Sequence, residues 1–244
     1  MGRLHRYRTA LSRRHRSRGF GIHSPFAFNF VLNVLGERLP YYAYGYLHDV
    51  RQAVIESSHS YLRHPRVMSL KNAKMLFRIT NYFAPKSILQ VGTNYGVSAV
   101  SMMSVSAQSR LSLYEPHLEE YPVVAQVLEP FLDYIDCFND LSVAIDEYRQ
   151  GLSGIEGSKP FVLVNDAPDD EAGLAALITY LKEVIAQADG GVVIMRNLSR
   201  SKRMEALWNV CSDHAQCGHT YTNEKIGIIV ASCKLPLQHF FLWF

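Results

Sequence analysis

The stretch Ser87-Ile-Leu-Gln-Val-Gly-Thr-Asn-Tyr-Gly-Val-Ser-Ala-Val100, followed by Leu111-Ser-Leu-Tyr-Glu115, decides the fold of this chain. Ile88, Leu89 and Val91 form an apolar strand that runs into a loop holding Gly92 and Gly96. A helical pattern follows from Val97 to about Ala107, and a second apolar strand (Leu111, Leu113, Tyr114) ends in Glu115. Strand, glycine loop, helix, strand and acid is the layout by which parallel α/β sheets hold a nucleoside-containing cofactor. Gly92 permits the tight turn and close backbone approach. Glu115 puts a carboxylate where it can accept from both ribose hydroxyls. The plainer reading is an ordinary βαβ unit with a glycine turn.

Working outward, the pattern alternates. Strands are expected near 87–91, 110–114, 134–138, 160–165 and 191–195, and helices near 97–107, 118–130, 141–150, 171–188 and 199–213. Phe161-Val-Leu-Val164 and Val192-Val-Ile-Met195 are unbroken apolar runs, as expected of strands covered on both faces. Ile226–Ser232 and Leu237–Phe244 read as two further strands. Only Cys233 to Pro236 joins them, too short a link for a crossover helix, so an antiparallel hairpin is expected. Upstream, Ser24 and Pro25 signal a helix start. Further helices are expected near 47–58 and 70–83, the second stopping before Pro85.

The chain has 244 residues, 48% of them hydrophobic, enough to pack a substantial core. No apolar run approaches the ~20 residues that span a bilayer. No apolar segment follows the charged N-terminus, so no signal peptide and a cytoplasmic location are expected. Four cysteines in a chain this long do not suggest a disulfide framework. The net charge of +3 hides an asymmetry. Residues 1–36 hold seven arginines (Arg3, Arg6, Arg8, Arg13, Arg14, Arg16, Arg18) and no acid, which leaves 18 basic against 22 acidic residues elsewhere, a net of −4. Such an arm can bind nucleic acid or an anionic surface, or it can be a solvated tail or dock on the acidic body of its own or a neighbouring subunit.

Five parallel strands with a terminal hairpin resemble the class I S-adenosylmethionine-dependent methyltransferases, over about residues 70–244. The first motif is most similar to that of the small-molecule O-methyltransferase branch, roughly Leu-Glu-Ile-Gly-x-x-x-Gly-x-Ser; here it reads Leu89-Gln-Val-Gly-Thr-Asn-Tyr-Gly-Val-Ser98. The resemblance implies a Rossmann-like, mostly parallel α/β sheet of seven strands with a C-terminal antiparallel hairpin and added N-terminal helices. The division is then a basic arm (1–20), a helical cap (21–69) and the α/β domain (70–244). It implies S-adenosylmethionine as cofactor, with Gly92, Thr93, Asn94, Tyr95 and Gly96 around its methionine end and Ser98 helping to hold its carboxylate. Glu115 would take the ribose, Cys137, Phe138 and Asn139 would border the adenine, and Asn165 and Asp166 would face the methyl group and acceptor.

The departures from the family pattern matter as much. Gln90 replaces the usual acid that orients the cofactor's amino group. The metal-dependent members carry an Asp at the fourth strand's end and Asp-Asn at the fifth's, where this chain has Asn165 and Arg196-Asn197. A hard divalent cation needs anionic oxygen ligands, and Arg196 repels it, so no metal is expected. Asp166, His117 and Tyr95 are the polar candidates for proton transfer. Arg196 is placed to bind an acceptor carboxylate or phosphate, or to pair with Asp166 or Glu115.

Cys211, His214, Cys217 and His219 are zinc-binding residue types at compact spacing, but structural zinc sites draw ligand pairs from separate segments, and buried small cysteines are the expected reading. Tyr41, Tyr42, Tyr44 and Tyr46 read as packing, or as lining for an acceptor pocket. The expected activity is therefore metal-independent methyl transfer to a small acceptor, one that can be anionic. Two alternatives stay open: a catalytically inactive binding or scaffold protein of the same fold, and a nucleic-acid methyltransferase that uses the arm. A homodimer is compatible with either.

Overall fold

A computed structural model describes residues 13–58, 67–120, 122–187 and 190–244. Arg3, Arg6 and Arg8 of the arm lie outside the described residues, as does the side chain of Asn94.

Eight strands form one sheet in the order β3-β2-β1-β4-β5-β7-β6-β8. β1 (Ser87–Val91), β2 (Arg110–Tyr114), β3 (Ile135–Phe138), β4 (Phe161–Val164) and β5 (Gly191–Met195) are parallel. β7 (Gly227–Ala231) lies antiparallel to β5 and to β6 (His219–Thr222), and β8 (Gln238–Phe241) lies parallel to β6 at the edge.

Two expectations need correction. The sheet has eight strands rather than seven. The terminal hairpin is β6–β7, and the last two strands are not hydrogen-bonded to each other but flank β6. A short link does exclude a crossover helix. It does not exclude a step over one intervening strand, roughly 9.5 Å at ordinary strand spacing, which the six residues between Ala231 and Gln238 cover.

The helices follow from capping and periodicity. Helix α1 (Pro25–Phe30) has Ser24 as N-cap and continues as a π-helical turn over Val31–Leu35. Its last carbonyls would be left bare inside the protein, and the buried guanidinium of Arg78 satisfies them. Arg78 Nε donates to Val34 O at 2.6 Å, Nη2 to Leu35 O at 3.2 Å, and Nη1 to the Tyr44 hydroxyl at 3.0 Å. α2 (Ala43–Ser58) follows, and then α3 (Leu70–Phe83), which opens on Ser69 as N-cap and closes at Ala84, just before Pro85. α4 (Val97–Met103) and α5 (Pro122–Leu128) complete one face. α6 (Leu141–Ser153), α7 (Glu171–Ala186) and α8 (Lys202–His214) cover the other.

Alternation along each strand divides the core between the two faces. Ile88, Leu111, Leu113, Phe161, Leu163 and Ile194 bury against the N-terminal helices. Leu89, Val91, Val162, Val164, Val193 and Met195 bury against α6, α7 and α8. The N-terminal helices thus share a hydrophobic core with the sheet.

The tyrosine group packs. Tyr41, Tyr42 and Tyr44 all set their rings against Phe77, and the Tyr42 hydroxyl donates to Ser104 O at 2.8 Å. The described end of the basic arm folds onto the chain's own last strands. Arg13 pairs with Glu224 at 2.5 Å and lies over the Phe241 ring, and Trp243 N–H donates to Ser17 Oγ at 2.6 Å.

Candidate functional site

The parallel ladder runs one residue past each strand. Gly92 N donates to Tyr114 O, Glu115 N to Phe138 O, Asn165 N to Val91 O and Arg196 N to Val164 O, each at 2.9 Å. Gly92, Glu115, Asn165 and Arg196 therefore stand side by side at the carboxyl ends of the strands. The chain diverges to either side between β1 and β4, and such a switch point is where open α/β sheets bind ligands.

Gly92 has φ +80°, a left-handed conformation that side-chain-bearing residues reach at a cost. Thr93 N–H then donates to Glu115 Oε2 at 2.8 Å, so the acid braces the loop across from β2. Its Oε1 accepts from His117 N–H at 3.3 Å, and a carboxylate has capacity for more donors. Thr93 Oγ1 accepts from Gly96 N–H at 3.0 Å. Tyr95, at φ 60°, and Gly96, at φ +79°, complete a compressed turn into α4.

A buried polar network supports this loop from below. Gln90 Nε2 donates to Gly92 O at 2.8 Å and to Ser98 Oγ at 3.1 Å. Asn165 Nδ2 donates to the same two oxygens at 2.7 and 3.0 Å. Ser98 Oγ donates to Thr93 O at 3.1 Å. Gln90, Ser98 and Asn165 have no exposed surface. The Ser98 hydroxyl, expected near the cofactor's carboxylate, is engaged beneath the loop.

Arg196 extends the network. It is 6% exposed and its Nη1 donates to Asn165 Oδ1 at 2.5 Å. Burial pushes its pKa down to about 10, with Asp166 opposing the shift, so the guanidinium stays charged at neutral pH. Asn197, at φ 59°, turns its amide back to donate to Asn165 O at 3.0 Å and to Asp166 Oδ1 at 3.3 Å. Partial desolvation raises the Asp166 carboxyl above the ordinary carboxylate range, against the Asn197 hydrogen bond and the Arg196 charge, which lower it. Phe138 is half-buried and Asn139 exposed at the end of β3.

The residues fit a nucleoside cofactor: a backbone-lined glycine turn at the end of β1, and a carboxylate with spare acceptor capacity at the end of β2. They do not fit a hard divalent cation. Where anionic oxygens are needed, Asn165 and Asn197 present amides already tied into the network, and Arg196 adds a positive charge.

The suspected zinc ligands disperse. Cys211 is buried in the core of α8, which pushes its thiol up to about 12. Cys217 Sγ faces Cys233 Sγ at 3.1 Å. His219 has no exposed surface and packs its ring against Phe26, Tyr221 and Phe240. Among the described residues no three His, Cys, Asp or Glu side chains form a metal-binding group.

Sequence reading missed two features. Asn197, which orients Asp166, was seen only as a lost metal ligand. The other is a cavity of about 290 Å³ at the end of β5, to which Arg200 and Lys225 contribute with Arg196. Lys225 reaches it because β7 pairs antiparallel with β5, a pairing that local pattern does not display. A larger groove of about 600 Å³ opens at the opposite end of the sheet, around Phe83, Lys159 and Gly190.

The same architecture occurs in solved structures. A methyltransferase from Geobacter sulfurreducens superposes with TM-score 0.53 at 13% identity, covering 80% of this chain and 92% of that one. The O-methyltransferase TomG from Streptomyces achromogenes, involved in tomaymycin synthesis and solved with SAM, gives 0.52 at 15%, covering 80% and 91%. The O-methyltransferase from Bacillus cereus, solved with SAH, gives 0.52 at 15%, covering 82% and 94%. The fold is that of these methyltransferases. No family model matches the sequence, and a search of curated proteins found no match.

Proposed function

We propose that this chain is an S-adenosylmethionine-dependent methyltransferase that acts on a small acceptor without a metal ion. The observation that carries this reading is Glu115, held at the end of β2 against the Gly92–Gly96 loop with acceptor capacity to spare. Support comes from the shared fold, which includes O-methyltransferases solved with SAM or SAH.

The bound cofactor supplies a sulfonium whose methyl group is already activated. The chain's task is then mainly to align the reacting groups. Glu115 fixes the ribose, and the loop, braced by Gln90 and Asn165, fixes the methionine end. Asp166, its Oδ1 steered by Asn197, is the proton acceptor for a hydroxyl on the acceptor. Its raised pKa makes it a better base than an ordinary carboxylate.

One observation favours a second reading, a non-catalytic binding protein of the same fold. Asn165 and Arg196, which the resemblance aligns with metal-ligand positions of the branch that the first motif resembles, are locked into a buried structural network.

Calorimetric titration with S-adenosylmethionine and its demethylated product tests the cofactor claim. Micromolar binding is expected, unchanged by a chelator and weakened at least about tenfold, or ~1.4 kcal/mol, in Glu115→Ala. Equal binding by the variant, or none by the wild type, contradicts it.

A further inference from the structure

The cavity at the end of β5 has an unusual lining. Its polar side chains are Ser69, Asn72, Arg196, Ser199, Arg200 and Lys225, together with Asn197. Three are cationic and none is acidic. Among the described residues Arg200 and Lys225 make no ion pair. The nearest carboxylate in the network, Asp166, bonds to Asn197 and does not line the cavity, although its charge acts on Arg196 and Arg200. The undescribed stretch that precedes this wall, 59–66, contains no acid in its sequence and so offers no counter-ion.

Arg196 is the decisive group. It is 6% exposed, and it is anchored through Nη1 to Asn165. Its Nε is buried with no hydrogen-bond partner among the described residues. A buried donor of a charged group left unpaired is unfavourable. The wall opposite is the start of α3, a fourteen-residue helix whose N-cap Ser69 bonds to Asn72 N–H at 3.3 Å. The first N–H groups of such a helix face outward with a partial positive charge. A fixed guanidinium, two unpaired cations and a helix start around one small cavity make a receptor for an oxyanion.

We infer that this cavity binds the oxyanion, carboxylate or phosphate, of the methyl acceptor. The word acceptor rests on the methyltransferase reading; the oxyanion site does not. Asn165 joins the two regions, since its Oδ1 holds Arg196 and its Nδ2 holds the Gly92 carbonyl. An acceptor anchored on Arg196 is therefore linked through one side chain, Asn165, to the loop assigned to the cofactor.

Calorimetry at low ionic strength with inorganic phosphate and with benzoate tests this, each in the absence and presence of saturating demethylated cofactor. Saturable binding of one or both anions is expected, and the stronger of the two identifies the acceptor's group. Arg200→Gln/Lys225→Gln should weaken it at least about tenfold, with Arg196→Gln weakening it further if that buried variant folds. Binding should persist when the cofactor product is present.

Three results overturn the inference: no saturable anion binding, binding indifferent to Arg200→Gln/Lys225→Gln, or competition by the cofactor product, which would assign the cavity to the cofactor's own carboxylate. Anion binding without any cofactor binding would keep the oxyanion site but remove the methyltransferase reading and, with it, the acceptor. Cofactor binding without anion binding would do the reverse.

Discussion

At the scale of single residues, Gln90 departs most plainly from the motif that the Leu89–Ser98 stretch resembles, and the structure gives it a physical role. Its amide donates to the Gly92 carbonyl and the Ser98 hydroxyl, in a place with no exposed surface. An ionised glutamate cannot donate, and it would face the Gly92 carbonyl oxygen. Gln90→Glu should therefore lower stability by about 1–3 kcal/mol in urea unfolding. Unchanged or raised stability would show that the amide is not bracing the loop.

His219 is a second residue-scale case. Burial depresses its pKa from the ordinary 6.5 to about 4. Between those values the unfolded chain binds a proton that the folded chain does not, so stability falls as pH falls through the window. The loss should reach no more than about 3 kcal/mol by the lower end. In His219→Phe, which keeps a ring among Phe26, Tyr221 and Phe240, melting temperature should depend less on pH between about 4 and 6.5. A wild-type profile flat across that window contradicts the assignment.

At the scale of elements, legibility depended on local signals. The expected bounds 70–83, 87–91, 110–114 and 191–195 coincide with α3, β1, β2 and β5. Ser69 caps α3 and Pro85 ends it, and unbroken apolar runs mark strands buried on both faces. β6 went unread because His219-Thr-Tyr-Thr222 lacks such a run, although all four residues are buried. The π-helical turn at Val31–Leu35 was equally silent, since it depends on Arg78, more than forty residues away. That dependence makes Arg78 a keystone for α1. Arg78→Met removes three hydrogen bonds from a buried site and should cost about 3 kcal/mol or more by chemical denaturation. A cost below about 1 kcal/mol would mean that the carbonyls of Val34 and Leu35 find other partners.

At the scale of the whole molecule, the sequence carried five strands alternating with helices, and a glycine turn and an acid that mark the strand ends of the candidate site. The order of the strands is set by long-range pairing that local pattern does not display. Nor did the sequence carry the cation-lined cavity. Arg196 and Arg200 are neighbours in sequence, but Lys225 joins them only through the β5–β7 pairing, and Ser69 only through the packing of α3. The arm was likewise ambiguous in sequence. Its described end lies on the chain's own β8 through Arg13, Ser17 and Trp243, and an exposed pair such as Arg13–Glu224 contributes under about 1 kcal/mol.

The central claim is that the strand ends around Glu115 hold a nucleoside cofactor. A crystal structure of the protein grown with S-adenosylhomocysteine tests it most directly. The account predicts ribose hydroxyls on the Glu115 carboxylate, the methionine end along Gly92–Gly96 and the sulfur turned toward Asp166. A nucleoside bound elsewhere, or a Glu115 carboxylate that keeps only Thr93 and His117 as partners, would contradict it.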